Sequence, residues 1–139
     1  MALICDTGPL YASADRDDAA HTACLELFQA AREPLVVPAP VLVELDWLMT
    51  ARLGSAAFDT VLCSIEERSL SVEDLRQGDY ARIRELRTRY ADLALGFTDA
   101  AVVAVAERYD ERRLVSLDRR HFGVVRPRHV PAFELLPAP

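Results

Sequence analysis

Lysine is absent: all sixteen basic residues of this 139-residue chain are arginine. That excludes Schiff-base chemistry, a lysine general base and a phosphate-binding loop ending in Gly-Lys. Cysteine is sparse as well. Cys5, Cys24 and Cys63 are odd in number and show no C-x-x-C spacing, so neither a zinc site nor a disulfide framework is supported. Each lies in an apolar stretch and is expected to be a small core residue in a reducing compartment. Five glycines and eight prolines are too few for a low-complexity or collagen-like chain. No uncharged apolar run approaches the roughly 18 residues of a membrane span. The start, Met1-Ala2-Leu3-Ile4-Cys5-Asp6, has no basic segment ahead of its apolar residues, so a signal peptide is not expected. The sequence reads as a soluble, cytoplasmic protein with no membrane partner.

What is present is a globular composition, 51% apolar, at a length that suits one domain over residues 1–139. A chain of this size buries roughly two thirds of its unfolded surface and needs no metal or disulfide staple. The net charge is −6, yet the charge is unevenly spread. Residues 108–129 hold seven arginines against Asp110, Glu111 and Asp118, a local excess of positive charge in an acidic protein. That end is the place to look for an anionic partner.

No repeat and no linker divides the chain. Ala2–Cys5 is a short apolar run ending in Asp6-Thr7-Gly8-Pro9, which predicts a buried strand and then a helix start. Helical periods run from Asp18 to about Arg32, Pro40 to Arg52, Ala56 to Glu66, Asp74 to Tyr90 and Thr98 to Tyr109. Short strands are predicted at Leu35–Val37, Leu70–Val72, Leu114–Leu117 and, as an edge, Phe133–Leu135. Apolar strands alternating with helices predict an α/β fold, a three-layer α/β/α sandwich around a mainly parallel sheet. In such sheets ligands bind beyond the carboxyl ends of the strands.

Two of the predicted strands run straight into aspartate, at Asp6 and Asp118, and so place carboxylates at that edge. Either one alone is explained by a turn or helix start. The helices add two more. At about 100° per residue, Glu44 falls between Trp47 and Leu48 in the apolar sector of its helix, while Asp46 and Thr50 supply the polar face. Asp99 falls at the centre of the apolar face of its own helix, with Glu107 and Arg108 marking the wet side. A first-turn acid is favoured by the helix dipole, with Thr98 as cap, but that does not explain an acid aimed at the core. A buried carboxylate must protonate, pair with a cation or bind a metal. Four of them converging suggest a metal, and arginine partners are the alternative. Oxygen ligands suit Mg²⁺ or Mn²⁺, and His21, His121 and His129 show no spacing that would favour zinc. Ions of this kind activate water and neutralise charge in an attack on phosphorus. Two other enzymes with aspartate at a strand end are excluded by motif: a D-x-D phosphatase, because position 8 is Gly, and a receiver domain, because no lysine exists.

Four segments together resemble a known family: Ile4-Cys5-Asp6-Thr7-Gly8-Pro9-Leu10, Val41-Leu42-Val43-Glu44-Leu45, Asp92-Leu93-Ala94-Leu95-Gly96-Phe97-Thr98-Asp99-Ala100 and Leu114-Val115-Ser116-Leu117-Asp118-Arg119-Arg120-His121-Phe122. The chain is similar, over nearly its whole length, to the PIN-domain ribonucleases and within them to the VapC-type toxins of bacterial toxin–antitoxin pairs. The resemblance implies an α/β/α fold, an acidic pocket for Mg²⁺ or Mn²⁺, cleavage of RNA, a homodimer and an antitoxin partner. It makes Asp6, Glu44, Asp99 and Asp118 the catalytic and metal-binding quartet. This sequence has Ser116 where many relatives have Thr, which keeps the hydroxyl, and Ala94 where many have Pro. Asp92 is either a supporting acid or a solvated cap. Thr7, Thr98 and Ser116 are candidates to bond metal-bound water or phosphate, or to act as caps. Arg119, Arg120, Arg126 and Arg128 are candidate contacts to the RNA backbone. Trp47, Leu48 and Leu53, with Val61 and Leu62, are more apolar than one core face requires and are expected to meet a second copy or the antitoxin. The rival reading is a PIN-like domain that binds RNA or protein without cleaving it.

Overall fold

A computed structural model describes residues 1–139. The first strand, β1 (Leu3–Cys5), is buried at every position because it lies at the centre of a five-stranded sheet. The chain continues through α1 (Thr7–Ala14) and α2 (His21–Ala30) to β2 (Leu35–Pro38), then α3 (Ala39–Leu53), α4 (Ser55–Glu66) and β3 (Ser71–Glu73). After β3 come α5 (Gln77–Arg89), a 3-10 turn at Ala91–Leu93, α6 (Phe97–Arg108), β4 (Arg113–Val115), α7 (Arg119–Phe122) and β5 (Glu134–Leu136). The strand order is β3-β2-β1-β4-β5, and all four pairings are parallel. Ile4 pairs with Val36 on one side and Leu114 on the other. The first half of the chain therefore builds outward on one flank of β1 and the second half on the other. The carboxyl ends of β1 and β4 are left side by side, a crevice of the kind that receives ligands in parallel sheets. Helices cover the sheet, completing the three-layer α/β/α architecture that the sequence predicts, and no helix is long and apolar enough to cross a membrane.

The core is one cluster of 26 buried residues. Its centre is α6, in which every residue from Ala100 to Ala106 is buried. A helix apolar on all sides belongs inside, and the small alanines let it lie close to the sheet. From α3 the buried residues are Val41, Leu45 and Met49, one stripe at intervals of four.

Several expectations are corrected here. Cys5 and Cys24 are buried, with burial pushing the Cys5 thiol up to about 12, but Cys63 is exposed on α4. The second helix begins at His21, not Asp18, because Asp15 and Asp18 accept bonds from the Asp17 and Ala20 amides and hold a turn there. The fifth begins at Gln77, after extended backbone at Arg76, with the Asp79 carboxylate accepting from the Arg76 amide. Glu107 and Arg108 do not form a wet side. Arg82 grips Glu107 with two bonds of 2.8 Å, and Arg108 pairs with Glu73 and Asp79, so the end of the α5–α6 seam where α5 begins and α6 ends is closed by ion pairs.

Candidate active site

Asp6 follows β1 directly and is 6% exposed. Its amide donates to the Val115 carbonyl, carrying the β1–β4 pairing one residue beyond the strand. Ser116, fully buried, continues β4 in the same way by donating its amide to Leu136. The Ser116 hydroxyl donates to Asp6 Oδ2 at 2.9 Å and accepts the Asp118 amide at 3.1 Å. One hydroxyl thus fixes a carboxylate and the turn that brings the next one. This is why Asp118 lies beyond a turn rather than at the strand end that the sequence predicts: β4 stops at Val115 and Asp118 caps α7.

Asp99 enters from the first turn of α6 and is half-buried, at the edge of that helix's buried stretch. Glu44 enters from α3. It lies in the apolar sector, as its spacing predicts, but that sector is not buried: Val43 is 75% and Trp47 72% exposed, and Glu44 itself is exposed. Nevertheless Asp6, Glu44, Asp99 and Asp118 line a single pocket of about 340 Å³, together with Thr7, Gly8, Leu48 and Leu117. Four carboxylates, from the end of β1, the cap of α7 and two helices, share one cavity.

The crowding has an electrostatic cost. Burial pushes Asp6 up to about 6, against the bonds from the Thr7 amide and Ser116 hydroxyl that favour its charged form, and Asp99 and Glu44 repel it further. Asp99 is also raised, first by burial, with repulsion from Asp118 and Glu44 opposed by His121 and the Gly96 amide. No arginine pairs with any of the four. The arginine ion pairs go instead to Glu33, Glu73, Asp79, Glu85, Glu107, Glu111 and Glu134. The arginine alternative therefore has no support at this site.

Asp118 has a different partner. Its Oδ1 accepts the His121 amide at 3.0 Å, and its Oδ2 meets His121 Nδ1 at 2.6 Å. On the far side of the ring, Nε2 lies 3.1 Å from the Leu93 carbonyl, which can only accept, so Nε2 carries a proton. The Nδ1 contact is then satisfied by a second ring proton or by a proton on Asp118. Donor atoms of Asp99, Asp118 and His121 all lie within 4.8 Å of one another. His121 is the residue that sequence reasoning missed. Spacing against other histidines gave no reason to include it, but Asp118-x-x-His121 is the interval at which an N-cap acid meets its helix.

The remaining candidates separate. Thr7 is 4% exposed, and its Oγ1 is buried without a partner beside the acids. Thr98 faces a neighbouring apolar groove of about 830 Å³, where Val43, Trp47, Tyr80 and Phe97 are exposed and Glu44 forms the shared wall. Leu53 and Leu62 are exposed, whereas Leu48 is half-buried and Val61 buried, so the expected surplus of apolar surface is narrower on α4 and wider along α3. Asp92 is exposed in the 3-10 turn, outside the acidic pocket. Arg119 donates to the Pro137 carbonyl, Arg120 is exposed, and Arg126 and Arg128 lie against α5.

The donor set meets the requirements of a hard divalent cation. It is rich in carboxylate oxygen, it holds uncompensated negative charge, and it leaves one buried hydroxyl unpartnered.

The sequence profile of the PIN domain matches residues 3–126. Over 135 residues the chain is 33% identical to Ribonuclease VapC26 of Mycobacterium tuberculosis, covering 97% of this chain and 100% of that protein. Its fold is shared with VapC20 of Mycobacterium tuberculosis, a sarcin–ricin loop cleaving toxin, at a TM-score of 0.83 and 19% identity over 93% of this chain and 98% of that one. It is shared also with VapBC2 from Rickettsia felis, whose structure holds a DNA fragment from their promoter, at a TM-score of 0.67 and 18% identity over 97% of each chain.

Proposed function

Since the chain belongs to the PIN-domain family and, within it, to the VapC proteins, we propose that it is an Mg²⁺- or Mn²⁺-dependent endoribonuclease acting as the toxin of a toxin–antitoxin pair. The observation that carries this reading is the convergence of Asp6, Glu44, Asp99 and Asp118 on one pocket without an arginine to neutralise them. Asp6 and Asp99 would hold the cation, with Glu44 and Asp118 completing the shell and orienting the attacking water. When bound, the cation supplies compensating charge for the phosphate and lowers the proton affinity of water.

The protein's own groups prepare that chemistry. Ser116 locks the Asp6 carboxylate to one rotamer, so no reorganisation is needed when substrate arrives. His121 fixes Asp118 from behind through ring and backbone. The Thr7 hydroxyl, buried without a partner beside Asp6, is a donor left over within the site. In hydrolysis the water oxygen forms a bond to phosphorus, the bond to the leaving ribose oxygen breaks, and that oxygen takes up a proton. Arg119 and Arg120, adjacent to Asp118, approach the RNA backbone nearest the acids. The exposed face of Val43, Trp47, Tyr80 and Phe97 is covered by a protein partner, a second copy of the chain or the antitoxin. Light scattering of the chain alone, and co-expression with the neighbouring reading frame, separate the two.

Purified protein incubated with labelled RNAs tests the assignment. Cleavage is expected with Mg²⁺ or Mn²⁺ and none with chelator. RNA binding without cleavage under every metal condition would replace this reading with the non-catalytic binding module.

A further inference from the structure

The other concentration of charge lies along α5. Arg82, Arg84, Glu85, Arg89, Arg126 and Arg128 line a cleft of about 700 Å³ between α5 and the segment after α7, completed by Thr88 and Pro127. Two of its arginines are already neutralised: Arg82 by Glu107, and Arg128 by Glu85 at 2.6 Å. The Arg84 guanidinium makes no ion pair or hydrogen bond, Arg89 lies over the Tyr90 ring at 5.7 Å, and the Arg126 guanidinium bonds only to backbone carbonyls. Three exposed guanidinium groups therefore share one cleft uncompensated, in a protein of net charge −6. Such a concentration persists against its own repulsion only at a cost, which an anionic ligand relieves.

The cleft and the acidic pocket are linked by the segment from Tyr90 to Asp99. At one end the Tyr90 hydroxyl accepts the Arg126 amide at 2.9 Å, and at the other the Leu93 carbonyl meets His121, which holds Asp118. One short segment therefore touches both the residues that line the cleft and the histidine that holds Asp118.

We infer that Arg84, Arg89 and Arg126 form a backbone-binding track for single-stranded RNA, holding phosphates of the substrate remote from the scissile bond. The inference rests on the RNA-cleaving reading above. It takes in Arg126 of the arginines predicted from the sequence and leaves out Arg128, whose guanidinium serves the cleft wall. The track delivers affinity without sequence readout, because phosphate contacts position a strand rather than specify it. The acidic pocket, which repels RNA, would then be reached by a strand already held elsewhere.

The test measures binding of a fluorescein-labelled single-stranded RNA of mixed sequence to the full chain, in chelator so that no cleavage intervenes, across a series of salt concentrations. The triple variant Arg84→Gln, Arg89→Gln, Arg126→Gln is compared with Arg16→Gln, Arg32→Gln, Arg68→Gln, which removes the same charge from exposed arginines outside the cleft. For the cleft triple, Kd should weaken by about tenfold or more at low salt, and the slope of log K against log salt should fall by about 2, near 0.7 for each lost phosphate contact. The control triple should lose much less of both. Equal losses in the two triples, or an unchanged slope in the first, would overturn the track, as would absence of RNA binding by the unsubstituted protein. Cleavage with Mg²⁺ is scored separately. Binding lost in the cleft triple alone, from a protein that never cleaves, upholds the track and rejects the nuclease.

Discussion

Ser116 and Asp6 are joined by a hydrogen bond between side chains 110 residues apart in sequence, both buried, at the ends of adjacent strands. Replacing Ser116 with Ala removes a donor to a buried carboxylate and an acceptor for the Asp118 amide. Asp6 should then titrate above about 6, since this bond favours its charged form. Stability should fall by about 1–3 kcal/mol at neutral pH, where Asp6 is charged, and by less in acid, where it is not. Carboxyl NMR titration and denaturant melts at two pH values check both parts. An unmoved Asp6 titration contradicts the account.

Asp6→Asn is expected to abolish RNA cleavage and to stabilise the metal-free protein. Asp6 has a higher pKa folded, about 6, than its ordinary value of 3.8, so the folded state binds more protons between these limits. Its contribution to stability therefore declines as pH rises through that window, to a cost of order 3 kcal/mol above it. The neutral amide keeps the shape and removes the cost. Melting temperatures at about pH 7.5 and about pH 4 should show a gain for the variant only at the higher pH. Full activity in Asp6→Asn would sink the assignment of this residue.

Divalent metal offsets the same repulsion by another route. Saturating Mg²⁺ should raise the melting temperature by several degrees, equivalent to about 2.7 kcal/mol at a hundredfold excess over Kd. The gain should shrink as pH falls through about 6, because protons compete for the Asp6 oxygens. Asp99→Asn and Glu44→Gln should diminish it, while Glu66→Gln, on an exposed part of α4, should not. A melting temperature indifferent to Mg²⁺ and Mn²⁺ would remove the cation from the mechanism.

Arg113 provides a test of the fold independent of the site. Its guanidinium bonds Glu111, 6% exposed, and also Glu33, tying β4 to the approach to β2. Arg113→Met leaves the Glu111 carboxylate buried without its cation and should cost about 3 kcal/mol. Those bonds hold the Glu111 pKa below its ordinary value despite burial, so the pair's contribution is present at neutral pH and is lost as acid titrates Glu111. Denaturant melts should accordingly converge for variant and parent at low pH.

The parallel sheet was legible because each strand is a short apolar run fixed between turn signals. Leu3–Cys5 and Leu35–Pro38 needed no tertiary information to identify. Asp99 was legible for a related reason: an acid on an otherwise apolar helical face breaks a period, and the face proved to be buried. The same inference half-failed for Glu44, since periodicity reports which residues share a side but not whether anything covers it. Asp118 was read from the strand it follows, but its place beyond a turn, and His121 with it, depended on side-chain hydrogen bonds that leave no periodic trace. Glu107 and Arg108 looked solvated because their partners, Arg82, Glu73 and Asp79, lie on segments that only the fold brings near.

The strand order β3-β2-β1-β4-β5 has a consequence for how the protein is made. Synthesis delivers Asp6, Glu44 and Asp99 in turn, but β1 keeps an open edge until β4 emerges and pairs with it. Ser116 and Asp118 arrive only then, so the Asp6 carboxylate stays unlocked and the pocket unfinished until β4 has been made. The later-made of these two strands therefore completes the pocket: until β4 pairs with β1, nothing holds the Asp6 carboxylate in line with Asp118.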